Sequence, residues 1–182
     1  KGEPIALLID FSCFMADKND ILTDYWDNYK LDSLTGQWDY IEPVLFGYAA
    51  GKIIEHFWQY NLANNEKVVA HHHEWMTGST LLYLNKNVPS IANVFTTHAT
   101  ILGRSLSGSG YNIYKELKEY NVKAKSKELN IVSKQSLEKL SAKISDSFTT
   151  VSEITSKECK HFLNKEVDTV TPNGFEESIV PS

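Results

Sequence analysis

The sequence predicts an α/β protein, a doubly wound and mostly parallel sheet with helices on both faces. Three observations lead there: short apolar runs of strand length recur along the chain, longer segments with helical periodicity separate them, and most runs end in polar residues. Strands alternating with helices call for crossover connections, which bring successive strands into parallel register.

The first run, Pro4-Ile5-Ala6-Leu7-Leu8-Ile9-Asp10-Phe11, is continuously apolar and closes on a carboxylate, as expected of a strand buried on both faces. Residues 12–40 mix aromatic and acidic side chains and read as an irregular or partly helical excursion. From Glu42-Pro43 to Tyr60, Ala50, Ile53, Ile54, Phe57 and Trp58 keep the i, i+3, i+4, i+7, i+8 spacing of a helix, with Pro43 in the first turn. Residues 67–74 form a short strand, 75–86 a helix that ends before Val88-Pro89, and 92–98 a third strand. The Gly- and Ser-rich stretch 103–110 predicts a loop, and 111–145 a Lys-rich helical region. A fourth strand covers 147–151. A helix begins near Thr155, where Thr155-Ser156-Lys157-Glu158 fits a capping box. The last strand, 168–171, runs into Pro172-Asn173-Gly174.

The chain has 182 residues, 42% of them hydrophobic and 23% charged, as in a single soluble domain. Eighteen Lys and Arg against 23 Asp and Glu leave a net charge of -5, and Arg104 is the only arginine. Neither nucleic acid binding nor an arginine phosphate clamp is expected of such a chain. No apolar run reaches the roughly 18 residues of a membrane span. Cys13 and Cys159 stand far apart, outside any C-x-x-C, which points to reduced thiols and a cytoplasmic setting. Between 115 and 143, eight Lys face four Glu, a local excess best read as a solvated helical face over Leu137, Leu140 and Ile144. The start without Met and the end at Ile179-Val180-Pro181-Ser182 suggest an excised piece of a longer protein.

In open α/β sheets, ligands bind beyond the carboxyl ends of the strands. Here those ends carry Asp10, His73-Glu74, Thr97-His98, Ser152 and Asn173-Gly174. In His71-His72-His73-Glu74, strand alternation puts His71 and His73 on one face, so three readings stand: a shared metal, packed histidines, or a ligand-contacting His73. The H-E-x-x-H spacing fails because Thr77 stands four positions after His73, and no third ligand is near, so no metal is assigned. No G-x-S-x-G elbow, Walker loop or G-x-G-x-x-G follows a strand, which argues against a hydrolase or a nucleotide gripped wholly by this segment.

Ala70-His71-His72-His73-Glu74-Trp75-Met76-Thr77-Gly78 and Phe95-Thr96-Thr97-His98-Ala99-Thr100-Ile101-Leu102-Gly103-Arg104 resemble the A-H-F-H-E-W and F-T-T-H-A-T-x-L-G-R motifs of eukaryotic-type glycogen synthases. The likeness extends to residues 44–47, 148–155 and 170–174, and so spans nearly the whole chain in the family's order. It implies a GT-B fold of two Rossmann-like domains across a cleft. Residues 1–182 would be one domain, most of the N-terminal, acceptor-side half, with the C-terminal donor-binding domain absent.

The implied activity is retaining transfer of glucose from UDP-glucose to the non-reducing end of an α-1,4-glucan, such as glycogen, with no cofactor. The partners it implies are UDP-glucose, the glucan acceptor and the chain's own C-terminal domain, and a homo-oligomer is compatible with it. Carried over by motif, His73 is the catalytic residue, lying against the donor glucose. Glu74, Thr97, His98, Arg104, Asn173 and Gly174 are substrate-binding positions. His72 stands where the family usually has Phe, a packing position. The family's Gly-rich loop, its C-terminal acidic motif and its regulatory arginine cluster are not in this sequence, so no glucose-6-phosphate control is implied. The rival readings are a related glycosyltransferase using ADP-glucose or another acceptor, and a non-catalytic glucan-binding module with 111–145 as its contact surface.

Overall fold

The computed structural model describes residues 5–62 and 66–174. Four strands, β1 (Val69–His73), β2 (Ala92–Thr97), β3 (Ser147–Thr150) and β4 (Thr169–Val170), form one parallel sheet in the order β1-β2-β3-β4. Helices flank it: α1 (Lys18–Tyr29), α2 (Trp38–Asn61), α3 (Gly78–Asn87), α4 (Ile101–Gly108), α5 (Ile113–Glu116), α6 (Val122–Glu128), α7 (Val132–Ile144) and α8 (Glu153–Glu158). The α/β class and the parallel sheet expected from the sequence are thus borne out. No described helix is long and apolar enough to cross a membrane.

Registry places His73 opposite Thr96, and Thr97 opposite Thr150, so the strands finish along one edge of the sheet. The core follows from the two-residue side-chain period. Phe95 and Phe148 lie side by side, fully buried, with ring centroids 5.8 Å apart, beneath Leu81 of α3, Ala142 of α7 and Cys159 and Leu163 just beyond α8. On the opposite face Val69, His71 and His73 are exposed. A second cluster joins α1 and α2 to Trp75, Leu82 and Leu137. Helices α2 and α3 approach closely because Gly47 and Gly51 lack side chains: a Cβ at Gly47 would lie 2.9 Å from Ser79 Cβ, and one at Gly51 2.7 Å from the Tyr83 ring.

Several local expectations are corrected. Residues 5–11 do not form a strand, and Ile5 and Leu8 are 95% and 100% exposed. An apolar run has strand structure only when a neighbour completes its ladder, and these residues pair with none of the four strands. At the end of the run Phe11 packs edge-on to Phe46 at 6.0 Å. Pro4 and Ile179-Val180-Pro181-Ser182 lie outside the described residues. Helix α2 starts at Trp38, so Pro43 falls inside it rather than in its first turn.

The predicted loop at 103–110 is mostly the helix α4. Its glycines and serines are tolerated because Leu102 and Leu106 bury one stripe and Thr100 caps the start, its Oγ1 accepting from Gly103 N at 3.0 Å. Helix α8 is capped by Ser152, whose Oγ accepts from Thr155 N, and not by a box beginning at Thr155. Glu158 at its end is buried instead of reaching back to Thr155. The 12–40 excursion contains α1 and a 3-10 turn at Ser12–Met15.

Candidate active site

Strand β1 ends on His73, and alternation sends His71 and His73 to the exposed face while His72 turns inward. The rings of His71 and His73 sit 4.1 Å apart by centroid. His71 Nε2 is 2.7 Å from Thr96 Oγ1, which in turn is 2.6 Å from Thr149 Oγ1, so a hydrogen-bonded row crosses three strands. His72 is only 3% exposed and its Nε2 lies 2.9 Å from Asn93 Oδ1. An imidazole at this packing position is thus kept in the core by one matched partner.

The chain turns out of β1 through Glu74, whose φ of 65° and ψ of 162° lie in a region almost reserved for glycine. Glu74 N, its carbonyl oxygen and Oε1 all help hold this conformation. Its N donates to Thr96 O at 2.9 Å, and its carbonyl accepts from Thr77 N at 3.1 Å and Thr77 Oγ1 at 3.0 Å. Its Oε1 accepts from His98 N at 3.1 Å and from the Arg104 guanidinium at 3.4 Å. Strain of about 1–3 kcal/mol persists only where the surroundings over-determine it, and such residues concentrate at functional sites.

Thr77 Oγ1 also lies 2.9 Å from the His73 carbonyl oxygen, which orients that carbonyl and leaves it a second lone pair. On the neighbouring strand end, His98 brings Nε2 within 3.0 Å of His73 Nδ1. Partial burial, then the nearby His71 and His98, hold the His73 pKa below its ordinary value. His73 is therefore neutral at neutral pH, able to share one N–H with His98 and to sit beside developing positive charge without repelling it.

The structure thus brings together His73, Glu74, His98 and Arg104, from two strand ends and the first turns of α4. Thr97 stands apart: it is fully buried on the opposite side chain face, donating to Glu138 Oε1 at 2.9 Å, and so has no surface to offer a substrate. Asn173 and Gly174 are exposed beyond β4, the far edge strand, and meet none of the four. Among the described residues no group of three or more His, Cys, Asp or Glu is placed to hold a metal ion. The nearest depression, about 330 Å³, is lined by Phe11, Glu42, Pro43, Phe46, Met76 and Thr77. A larger one of about 590 Å³ lies elsewhere, among α1, α2 and α3.

Sequence reasoning missed Thr77 and two buried carboxylates, Glu138 and Glu158. Glu138 was legible in principle, since it falls beside Leu137 on the inward stripe of α7, where a carboxylate is out of place. Glu158 carried no such signal.

Residues 1–179 match the family model described as glycogen synthase. Among curated proteins, the chain is 33% identical over 175 residues to a glycogen [starch] synthase of Dictyostelium discoideum, covering 96% of this chain and 19% of that protein. It is 31% identical over 176 residues to glycogen [starch] synthase isoform 2 of Saccharomyces cerevisiae, covering 96% of this chain and 25% of the other. Against the liver glycogen [starch] synthase of Rattus norvegicus the identity is 30%, with 96% and 25% covered. The chain spans a quarter or less of the length of these relatives.

Proposed function

From the premise that this chain belongs to the glycogen synthase family, we propose that the intact protein transfers glucose from UDP-glucose to the non-reducing end of an α-1,4-glucan with retention of configuration. Residues 1–182 supply most of the N-terminal, acceptor-side wall of a two-domain cleft, and a C-terminal domain holds the donor diphosphate. One observation carries this reading. His73, Glu74, His98 and Arg104 converge at the carboxyl ends of β1 and β2, where α/β sheets place ligands, on a backbone held in strain at Glu74.

In the reaction the bond from the anomeric carbon to the diphosphate oxygen breaks and one to the acceptor hydroxyl oxygen forms, the hydroxyl proton passing to the departing diphosphate oxygen, through an oxocarbenium-like transition state. A preorganised lone pair stabilises the developing cation without reorganising at the moment of reaction. The His73 carbonyl, fixed by Thr77, offers such a lone pair, and its neutral ring adds no opposing charge. Glu74 fixes the His98 backbone and the Arg104 side chain rather than moving protons. The Arg104 side chain, 62% exposed, remains available to an anionic donor group. Asn173 and Gly174, beyond β4, keep the substrate-binding role that their motif implies. The free thiols of Cys13 and Cys159 support a cytoplasmic setting.

The test is glucose incorporation into glycogen by the intact enzyme carrying His73→Ala, with UDP-glucose and ADP-glucose assayed in parallel. Loss of roughly a hundredfold or more in kcat is expected, because removing the ring breaks its contact with His98 and frees the strand end that holds the His73 carbonyl, and misplacement of that order near the reacting atoms costs about as much. Near-normal turnover would remove the His73 ring from the mechanism, and preference for ADP-glucose would overturn the donor assignment.

A further inference from the structure

We propose that Glu138 of α7 is a positioning residue: from the buried side of the β2–α4 connection its carboxyl group sets the place of His98 and, through it, the ring of His73. The inference rests on the role given to His73 above.

The connection from Thr97 to Ile101 carries His98 near its middle. Glu138 is fully buried and spends both oxygens on this one connection, at either side of His98: Oε1 lies 2.9 Å from Thr97 Oγ1, and Oε2 accepts from Ile101 N at 3.0 Å. On the exposed side, Glu74 Oε1 takes His98 N. The turn is therefore gripped by two carboxyl groups from opposite sides, and His98 Nε2 reaches His73 Nδ1 from that fixed base. The end of β2 is tied further by Thr150 Oγ1, which donates to the Thr97 carbonyl at 2.7 Å. Glu158 braces Thr100 of the same connection, accepting from Thr100 Oγ1 at 2.7 Å and from Tyr114 at 3.0 Å.

A buried carboxyl group contributes less to stability than a well-packed apolar side chain of similar size, so packing alone does not account for Glu138. Its burial beside two other carboxyl groups favours a neutral carboxyl. Burial pushes Glu138 up to about 8 against the pull of the Ile101 N–H and the Thr97 hydroxyl, with Glu74 and Glu158 raising it further. The third titratable neighbour, Cys159, is itself pushed up by burial and by Glu138 and Glu158. When Glu138 is protonated it donates to Thr97 Oγ1, freeing the Thr97 hydroxyl to donate to Ala99 O, 3.3 Å away. The hydrogen bonds then run in one direction from Glu138 to the backbone beside His98.

The experiment compares Glu138→Gln, Glu138→Leu and Thr97→Val in the intact enzyme. Two readouts are taken: kcat and KM from pH 7 to 9, and carbethoxylation of His73 and His98 by diethyl pyrocarbonate, mapped by mass spectrometry. Glutamine reproduces the neutral carboxyl, donating to Thr97 and accepting from Ile101, so it keeps kcat within about threefold of the parent and flattens its pH dependence over this range. Leucine lowers kcat on the order of a hundredfold with KM within about threefold, as for misplacement of a group near the reacting atoms. It also raises carbethoxylation of His98 and His73 several-fold. Thr97→Val gives an intermediate change in both readouts and decides the matter if the leucine variant does not fold. Parent-like kcat and histidine labelling in the leucine or valine variant overturn the proposal, as does a glutamine variant as impaired as the leucine one. If the parent transfers no glucose, the reading of His73 fails, and the labelling still decides the role of Glu138.

Discussion

Nδ1 of His73 and Nε2 of His98 lie 3.0 Å apart, one imidazole at the end of β1 and the other just past the end of β2. One N–H serves the contact, so the pair is satisfied with a single proton between the two nitrogens, and charging both rings removes the bond and sets two cations side by side. The pair also joins two parallel strands whose ladder has already ended, which makes it sensitive to anything that moves either strand end.

Acid weakens this protein through its histidines. Burial is the main cause that lowers both His72 and His73, and the opposing hydrogen bond from Asn93 does not cancel it for His72. Both folded values lie below the ordinary 6.5, so below that pH the unfolded chain binds protons that the folded chain resists, and stability falls as pH falls through and below 6.5. Melting temperatures measured from pH 7.5 to 5 should therefore decline. His72→Phe should make the decline shallower, while leaving Asn93 Oδ1 without its partner costs about 1–3 kcal/mol, partly offset by the added apolar burial. An unchanged pH slope would exclude His72 as a source.

Glu74 lends itself to a paired comparison. Glu74→Ala and Glu74→Gly both remove the carboxylate that holds His98 N and Arg104, but only glycine relaxes the backbone at φ 65°. The glycine variant should be the more stable of the two by about 1–2 kcal/mol in denaturant titrations, because the positive-φ penalty exceeds the entropic cost of glycine. Equal stabilities would mean that the strain is not borne there.

Gly103 tests the packing behind the site. A Cβ there would collide with Glu158 Oε2 and lie 2.7 Å from Thr100 Oγ1, the cap of α4. Gly103→Ala should destabilise by about 1–3 kcal/mol, as overpacking does, despite the better helix propensity of alanine. A stabilised variant would show that Glu158 moves aside freely.

Arg104 should matter to the donor and hardly at all to the fold. Its contact with Glu74 is long at 3.4 Å and its side chain is 62% exposed, so Arg104→Ala should shift stability by no more than about 0.5 kcal/mol. Under the proposed function KM for the sugar nucleotide should rise several-fold in the intact enzyme. Thermal melts and initial-rate kinetics separate the two effects, and a large stability loss with unchanged KM would make Arg104 structural.

The class of fold and the β1 and β2 ends of the site were readable in the residues themselves. Short runs of strand length between helical segments located β1, β2 and β3, and the resemblance singled out His73, Glu74, His98 and Arg104, which the structure brings within hydrogen-bond reach of one another. Thr97 was placed among the binding residues because it matches the family motif, yet strand alternation turns it into the core. The apolar run before Phe11 looked more strand-like than β1 and is not a strand, because a run of apolar side chains does not specify the neighbour it pairs with. The stretch 103–110 looked like a loop and is a helix, because one cap at Thr100 and two buried leucines outweigh its glycines and serines.

By itself the sequence determined the local periodicities, the strand ends that would carry polar residues, and the family motifs around His73 and His98. Only the tertiary structure decided that Glu74 would adopt a glycine-like backbone, that Thr77 would fix the His73 carbonyl, and that Glu138 would reach the back of the His98 turn. Periodicity reports which face of an element is apolar. Hydrogen bonds between residues 41 positions apart, such as Thr97 with Glu138, depend on how whole elements pack, and no local pattern encodes them.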